Sequence, residues 1–262
     1  MKLTVLGCWA PYPRPGEACS GYLLQSGAIN LMLEAGNGSF AQLTRHLNFR
    51  SLTGVVVTHF HPDHFMDLFC LRHAIEGARR DGSMAGQVKL FIPPEPIDVY
   101  NQLAGYTKAF SVINVESLPH SADIPGLTAK KTVLDEVNLY FIPTAHSLPG
   151  YALLARRKGQ SFLFSGDSSY CIQLEIAARG THLLLCESSG LNKDATQLAG
   201  THMTAGQAGA LARQSGTQRL VLTHFWPEYD VGELLAQAEE ALGGSVEAAA
   251  QGKEYTIDNI CR

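Results

Sequence analysis

Four side chains that can bind a metal ion lie within six consecutive residues. They are His59, His61, Asp63 and His64, and they follow the apolar segment 54–58, which predicts a short strand. Alternation along an extended chain places His59 and His61 on the same side. Pro62 suits the first turn of a helix, and such a helix would bring Asp63 and His64 to the same end of the sheet. This spacing indicates a metal site.

Three further candidate ligands also follow predicted strands. His146 comes after segment 137–142, Asp167 after 161–164 and His224 after 220–223. Each alone has an ordinary structural interpretation, but loops beyond strand ends are where binding sites are built. With the first cluster they make five histidines and two aspartates. Imidazole and carboxylate ligands suit Zn²⁺, and Mn²⁺ or iron stays open because no thiolate is among them.

The elements that must position these residues alternate as in α/β proteins. Strands are predicted at residues 2–6, 22–24, 29–33, 55–58, 88–92, 137–142, 151–155, 161–164, 182–186 and 220–223. Helical patterns cover residues 39–47, 64–79, 97–106, 170–178, 204–214 and 231–241. Consecutive strands in some regions and strand–helix alternation in others predict mixed sheets covered by helices.

The composition is that of an ordinary globular protein. Of the 262 residues, 45% are apolar and 17% are charged, and the net charge is −4. We interpret residues 1–262 as a single domain, without an apolar run that would span a membrane. The negative net charge disfavours a general nucleic-acid-coating role. The six cysteines are scattered, which is typical of reduced thiols in a cytoplasmic protein.

Together, the motifs resemble the metallo-β-lactamase superfamily, and within it the short form of the ribonuclease Z-like branch. The resemblance rests on the segments LGCWAPYPRPGEACSGYLL, THFHPDH, TAHSLPGYAL, FLFSGDSS, HMTAGQAGALA and RLVLTHF, and it covers essentially the whole chain. It implies an α/β fold, namely a four-layer αβ/βα sandwich of two mixed β-sheets flanked by helices. It also implies a metal site at one edge between the sheets, and a homodimer.

The same resemblance implies two divalent metal ions per chain, bridged by Asp167. The implied ligands, three for each ion, are His59, His61 and His146 for the first and Asp63, His64 and His224 for the second. Two adjacent cations lower the pKa of the water between them and neutralise a developing oxyanion, so the expected reaction is hydrolysis. Asp63 is in addition a candidate to orient that water or accept its proton.

Three more residues are expected to support the centre. Glu34 occupies the place where the family usually has an Asp, and it would support the metal-binding loop with a side chain one methylene longer. Glu187 and His202 match a catalytic pair of the ribonuclease Z-like branch, while Cys186 and Ser188 beside Glu187 depart from its pattern. His202 is then the candidate general acid for the leaving oxygen, with Glu187 stabilising its imidazolium.

The sequence therefore favours a metal-dependent hydrolase, first of all a phosphodiesterase acting on a small or nucleotide-like substrate. Only 20 residues separate His146 from Asp167, so the long RNA-gripping arm of ribonuclease Z-like proteins is not expected there, and neither is a large RNA substrate. Transfer RNA 3′ processing stays an alternative, as does hydrolysis of a carboxylic ester, a lactone or an aryl sulfate. A non-catalytic, metal-stabilised binding module is disfavoured because all seven ligand positions are filled.

The remaining histidines and aromatic residues carry a weaker signal. Trp226 and Phe225 follow His224 directly, and the sequence leaves open whether they line a substrate cleft or pack in the core. Four histidines have no spaced partners and are expected to be structural: His46, His73, His120 and His182.

Overall fold

Two β-sheets lie face to face in the computed structural model, which describes residues 1–258. Within these residues each sheet has seven strands. The first sheet consists, from edge to edge, of β14 (Glu254–Thr256), β1 (Lys2–Gly7), β2 (Gly21–Ser26), β3 (Ile29–Leu33), β4 (Gly54–Val56), β5 (Val88–Ile92) and β6 (Phe110–Asn114). The second consists of β13 (Glu247–Ala248), β12 (Leu220–Thr223), β11 (Leu183–Glu187), β10 (Gln160–Phe164), β9 (Tyr151–Arg157), β8 (Val137–Pro143) and β7 (Lys130–Leu134).

Both sheets are mixed in the same way. Neighbouring strands from β14 to β3 are antiparallel, and those from β3 to β6 are parallel. In the second sheet the antiparallel half runs from β7 to β10 and the parallel half from β10 to β13. Since β9 is antiparallel to both of its neighbours, β8 points the same way as β10. Several strands of each sheet therefore end at a common edge.

Alternating side chains along the strands divide the apolar residues between two cores. In β2, Tyr22 contributes to the core between the sheets, while Leu23 contributes to a core on the outer face of the first sheet. Tyr22 lies 5.1 Å from Phe164 between ring centroids, and Phe91 of β5 lies 5.7 Å from Phe141. Each of these two pairs joins the first sheet to the second, as expected when successive side chains of a strand point to opposite faces.

The longer helices cover the outer faces of the sheets. On the first sheet lie α1 (Ser39–His46), α3 (Leu68–Arg80) and α4 (Ile97–Ala104). On the second lie α5 (Ile172–Ala178), α7 (Ala205–Ser215) and α8 (Val231–Leu242). The two short helices are α2 (Pro62–Phe65) and α6 (Ala195–Leu198), and single 3-10 turns occupy Phe49–Ser51, Val115–Ser117 and Asn192–Asp194. The predicted four-layer αβ/βα sandwich is confirmed.

One predicted helix, 64–79, was wrong as a continuous element. Helix α2 ends at Phe65 and α3 begins at Leu68. Between them the backbone N–H of Asp67 donates to the carbonyl of Ala35 at 2.8 Å, and the carboxylate of Asp67 accepts from the N–H of Phe40 at 2.8 Å. The loop after β3 thus takes the N–H of Asp67, which a continuous helix would direct to the carbonyl of Asp63, and this distant partner is invisible to a local pattern.

Four strands escaped prediction because they carry little apolar alternation. They are β6, β7, β13 and β14. β7 has the sequence KKTVL, in which only the last residue is buried, and β13 has only two residues. Backbone pairing at a sheet edge defines such strands, and no short-range sequence pattern reports it.

The cysteines within residues 1–258 are free thiols, and burial raises the pKa of Cys8 to about 12; Cys261 falls outside the described residues. No helix within residues 1–258 is both long and apolar enough to cross a bilayer. The interpretation of residues 1–262 as one domain stays a prediction.

Two helical glycines provide a matched test of the packing. A Cβ built on Gly77 in α3 has no heavy atom within 4 Å, whereas one built on Gly209 in α7 lies 2.3 Å from the carbonyl oxygen of Ala238 in α8. We expect Gly77→Ala to raise the free energy of unfolding by about 0.5–1 kcal/mol through helix propensity. Gly209→Ala should lower it by about 1–3 kcal/mol, because α7 and α8 must separate. Denaturant titration of both variants measures this, and a shift of the same sign in both would contradict the packing described.

Candidate metal centre

The loops that carry the predicted ligands leave one edge of the sandwich. His59 and His61 follow β4 of the first sheet, while His146, Asp167 and His224 follow β8, β10 and β12 of the second. The backbone N–H of Tyr151 donates to the carbonyl of Thr58 at 3.2 Å and so joins the two sheets beside His59. The structure brings all seven predicted ligands together at this edge.

The first group of potential ligands consists of His59, His61, His146 and Asp167, and their ligand atoms all lie within 4.8 Å of one another. Nε2 of His59 lies 2.9 Å from Nδ1 of His61, which in turn lies 3.1 Å from Nε2 of His146. His61 therefore presents Nδ1, while the other two histidines present Nε2.

The second group consists of Asp63, His64 and His224. Nε2 of His64 and Nε2 of His224 lie 3.2 Å apart, at 3.4 and 3.5 Å from Oδ2 of Asp63. The predicted helix start places this aspartate: Pro62 is the first residue of α2, and Asp63 lies in its first turn. Because Gly36 lacks a side chain, the backbone of α2 can approach; a Cβ at Gly36 would lie 2.0 Å from the carbonyl of Asp63.

Asp167 lies between the two groups. Its Oδ2 lies 3.5 Å from Nε2 of His59, 3.3 Å from that of His64 and 3.2 Å from that of His224. Its other oxygen, Oδ1, is buried without a hydrogen-bond partner within residues 1–258. A buried carboxylate oxygen without a partner and imidazole nitrogens that face one another at about 3 Å both fit a bound cation, which would accept all of these lone pairs.

The charges of the side chains agree with that fit. Burial lowers the pKa of His59, His61 and His146, so these imidazoles are neutral, as a metal ligand must be. Burial, the largest single influence, would lower the pKa of His224, but the charge and hydrogen bond of Asp167 and the hydrogen bond of Asp63 together outweigh it and raise this pKa to about 10. His64 is raised in the same way by Asp167 and Asp63. The carboxylates thus stabilise positive charge here, carried either by protons on His64 and His224 or by a metal ion that takes their place.

The ring nitrogens of His59, His64 and His146 that point away from the centre have polar neighbours of their own. Nδ1 of His146 donates to the carbonyl of Thr201 at 2.7 Å. Nδ1 of His59 lies 3.1 Å from Oγ1 of Thr58. Nδ1 of His64 has no hydrogen-bond partner within residues 1–258, and the carboxylate of Glu34 faces it at 3.6 Å as a charge. Partners of this kind orient a metal-binding imidazole and fix which nitrogen carries the proton.

Glu34 reaches the loop that the sequence assigned to it. It is fully buried, and both of its carboxylate oxygens accept from the backbone N–H of Thr58 at 3.2 Å. Glu34 has a positive φ of 59°, as does His224 at 60°. For non-glycine residues this backbone costs energy and persists only where the surroundings impose it. In both cases it follows a strand and turns a side chain toward the centre.

Glu187 and His202 form the predicted pair. Oε1 of Glu187 lies 3.1 Å from Nδ1 of His202, and it also accepts from the backbone N–H of Ser168 at 2.6 Å. Burial by itself would lower the pKa of His202, but Glu187 and then Asp167 outweigh it and raise that pKa above its usual value. The same Nδ1 of His202 lies 3.9 Å from Oδ2 of Asp167.

Sequence reasoning missed Ser189. Its hydroxyl donates to Oε2 of Glu187 at 2.7 Å and accepts from Nδ1 of His224 at 2.9 Å. This arrangement leaves Nε2 of His224 free to bind a metal. The available signal was the spacing, because a residue two positions after Glu187 in extended chain faces the same side.

A cleft of about 330 Å³ opens onto both groups. Its polar lining consists of His61, Asp63, Asp167, Ser189, His202 and His224. Its apolar lining consists of Ala10, Pro11, Pro62, Leu198 and Trp226. The cleft thus joins the candidate metal centre and the candidate general acid to a surface that a substrate can reach.

The sandwich fold, with His/Asp clusters at one edge, defines a class of protein, the metal-dependent hydrolases with an αβ/βα fold. A family model described as "Beta-lactamase superfamily domain" matches residues 30–225, and the chain belongs to this superfamily.

Individual relatives agree with this assignment. The probable metallo-hydrolase YhfI of Bacillus subtilis is 28% identical over 96% of this chain and 98% of its own length. Its crystal structure superposes with a TM-score of 0.87 over 97% of this chain and 98% of that one, at 25% identity. A ribonuclease Z of Thermobifida fusca is 27% identical over 94% of this chain and 91% of its own. Human tRNase Z, short form, shares the fold with a TM-score of 0.75 at 20% identity, over 99% of this chain and 100% of that one.

Two neighbouring serines test whether Ser189 orients His224. We expect Ser189→Ala to weaken binding of Zn²⁺ by about 10- to 100-fold, the usual effect of losing a partner of a metal-binding histidine. Ser188→Ala is the matched control, since that buried hydroxyl bonds instead to the carbonyl of Thr223 at 3.2 Å. Competition with a chromogenic chelator gives both affinities. Equal affinities for the two variants would contradict this role of Ser189.

Proposed function

We propose that the protein is a dinuclear metal-dependent phosphodiesterase acting on a small or nucleotide-like substrate. The observation that carries the proposal is Asp167, whose Oδ2 lies within 3.5 Å of histidines from both groups and 3.9 Å from His202 on the cleft side. A carboxylate shared in this way suits two cations, and the imidazole of His202 suits proton transfer beside them. The favoured cation is Zn²⁺, with Mn²⁺ or iron as alternatives.

The assignment of ligands follows the two groups. The first cation would be held by His59, His61 and His146, the second by Asp63, His64 and His224, and both by Asp167. When bound, the cations would supply positive charge and an activated water for attack at phosphorus. Asp63 lines the cleft and is the proposed acceptor of the water's proton.

His202 is the proposed general acid. It lies in the cleft, and Glu187 holds its Nδ1 at 3.1 Å and stabilises the protonated ring. The ring therefore keeps its proton until the leaving oxygen departs with both electrons of the broken P–O bond and takes that proton.

The short segment between His146 and Asp167 favours a small substrate. The relative named ribonuclease Z supports phosphodiester chemistry. Between His146 and Asp167, however, the chain forms only strands β9 and β10 and their turns. This segment has no protruding arm, which supports a small substrate over transfer RNA 3′ processing. A homodimer, implied by the sequence resemblance, and a cytoplasmic location, supported by the free cysteines, belong to the same proposal.

Replacing His202 tests the acid role. We expect His202→Ala to lower kcat by about 10²- to 10⁴-fold for a diester with an alkoxide leaving group. The loss should be much smaller for bis(p-nitrophenyl) phosphate, because p-nitrophenolate leaves without being protonated. His182→Ala, which removes a histidine bonded to Ser161, is the control. Metal content should stay intact, and loss of metal in His202→Ala would instead make His202 a ligand.

A substrate screen separates the proposed function from its alternatives. Metal-quantified protein should contain about two cations per chain and hydrolyse bis(p-nitrophenyl) phosphate, and a chelator should abolish that activity. Turnover of a p-nitrophenyl carboxylate, a lactone or an aryl sulfate with the diester untouched would favour the ester or sulfate alternative. Inertness toward all of them with metal bound would favour a binding module.

A further inference from the structure

The cleft that opens onto the candidate metal centre has an apolar wall. Pro11, Leu198 and Trp226 contribute to this wall. No lysine or arginine is among the residues that line the cleft in the described part of the chain. Ligands with several phosphate charges are usually held by such cations. The wall therefore suits the uncharged organic part of a substrate.

Trp226 is the large exposed aromatic residue of this wall. It retains 42% of its accessible surface, whereas its neighbour Phe225 is buried. Trp226 is two residues after His224, so their Cα atoms are at most about 7 Å apart. A group attached to a phosphorus atom at the candidate metal centre is therefore within reach of the indole.

The indole of Trp226 packs against a second aromatic side chain. The ring of Tyr12 meets it at a centroid distance of 6.2 Å and an angle of 71°. The hydroxyl of Tyr12 donates to Glu228 at 2.8 Å. Since a ring has two faces and this edge contact occupies at most one, a face of Trp226 remains for another ring.

A second tie fixes the backbone on either side of Trp226. The guanidinium of Arg14 donates to the carbonyl of Pro227 at 2.6 and 3.0 Å and to that of Tyr229 at 3.0 Å. It also lies 4.1 Å from the centroid of Trp9. The backbone N–H of Ala10 donates to the carbonyl of Phe225 at 3.0 Å. These contacts join the loop after β1 to the loop after β12, so little ordering is left to occur when a ligand binds.

We propose that Trp226 is a stacking platform that selects phosphodiesters carrying a planar aromatic group, such as a nucleobase, next to the phosphorus. This inference rests on the proposed function and adds the class of substituent that the site selects. Stacking on an aromatic side chain is tolerant of the identity of the ring, so the platform selects planarity rather than a particular base.

The test compares two monoanionic diesters of similar size: diphenyl phosphate, whose rings are planar and aromatic, and dicyclohexyl phosphate, whose rings are saturated. Dissociation constants are measured by calorimetry on metal-loaded protein under conditions in which no phenol is released during the titration, because diphenyl phosphate is itself a diester. We expect Trp226→Ala to weaken diphenyl phosphate by about fivefold or more, with dicyclohexyl phosphate changed by less than about twofold because stacking contributes little to it. Trp226→Phe should restore most of the affinity. Equal losses for both ligands, or no binding of diphenyl phosphate to the unsubstituted protein, would overturn the platform.

Fluorescence gives a second readout that does not depend on turnover. The chain has two tryptophans, and Trp9 is buried. Diphenyl phosphate should quench emission in the unsubstituted protein but not in Trp226→Phe, and equal quenching in both would overturn the proposal. Hydrolysis of bis(p-nitrophenyl) phosphate is followed separately. If the protein binds diphenyl phosphate selectively but does not hydrolyse the diester, the proposed function alone is rejected. If it hydrolyses the diester without that selectivity, the stacking platform alone is rejected.

Discussion

The buried charge of Asp167 is the constraint on which the centre depends. Its side chain is 3% exposed, and five imidazole nitrogens lie within 4.0 Å of Oδ2. An ionised carboxylate removed from water costs several kcal/mol unless positive charge faces it. No lysine or arginine in the described residues forms an ion pair with it, so the positive charge must come from imidazolium or from bound metal. Loops from both sheets converge at this edge and place the imidazoles that can carry this charge, or bind the metal, around Asp167.

Two further buried glutamates hold those loops in place, one from each sheet. Glu34 follows β3 and accepts from the backbone N–H of Thr58, next to His59. Glu187 ends β11 and accepts from the backbone N–H of Ser168, next to Asp167. Each carboxylate therefore secures a loop that carries a candidate ligand to the neighbouring strand of its own sheet. The two glutamates contact different histidines: Glu34 faces His64, and Glu187 bonds to His202 at the cleft.

The sequence predicted most of the centre because its residues follow strands that are easy to recognise. His59, His146 and His224 all follow buried apolar segments, and residues after similarly directed strands meet at one edge. What escaped prediction depends on distant partners. The hydroxyl of Ser189 matters because it bonds to His224, a residue 35 positions later, and the break before α3 arises because Asp67 bonds to the loop after β3. Local periodicity reports neither contact, and it missed the edge strands for the same reason.

The chemistry of the site and its selectivity depend on different parts of the structure. The buried edge of the sandwich fixes the polar groups, and activated water with positive charge serves phosphodiesters and carboxylic esters alike. The proposed selectivity would then come from the apolar wall, to which the loop after β1, helix α6 and the loop after β12 all contribute. Arg14 joins the loop after β1 to the loop after β12 through carbonyl oxygens of Pro227 and Tyr229 rather than through side chains. The side chains of this wall can therefore be replaced without disturbing the hydrogen bonds between the two backbones or the metal-binding edge.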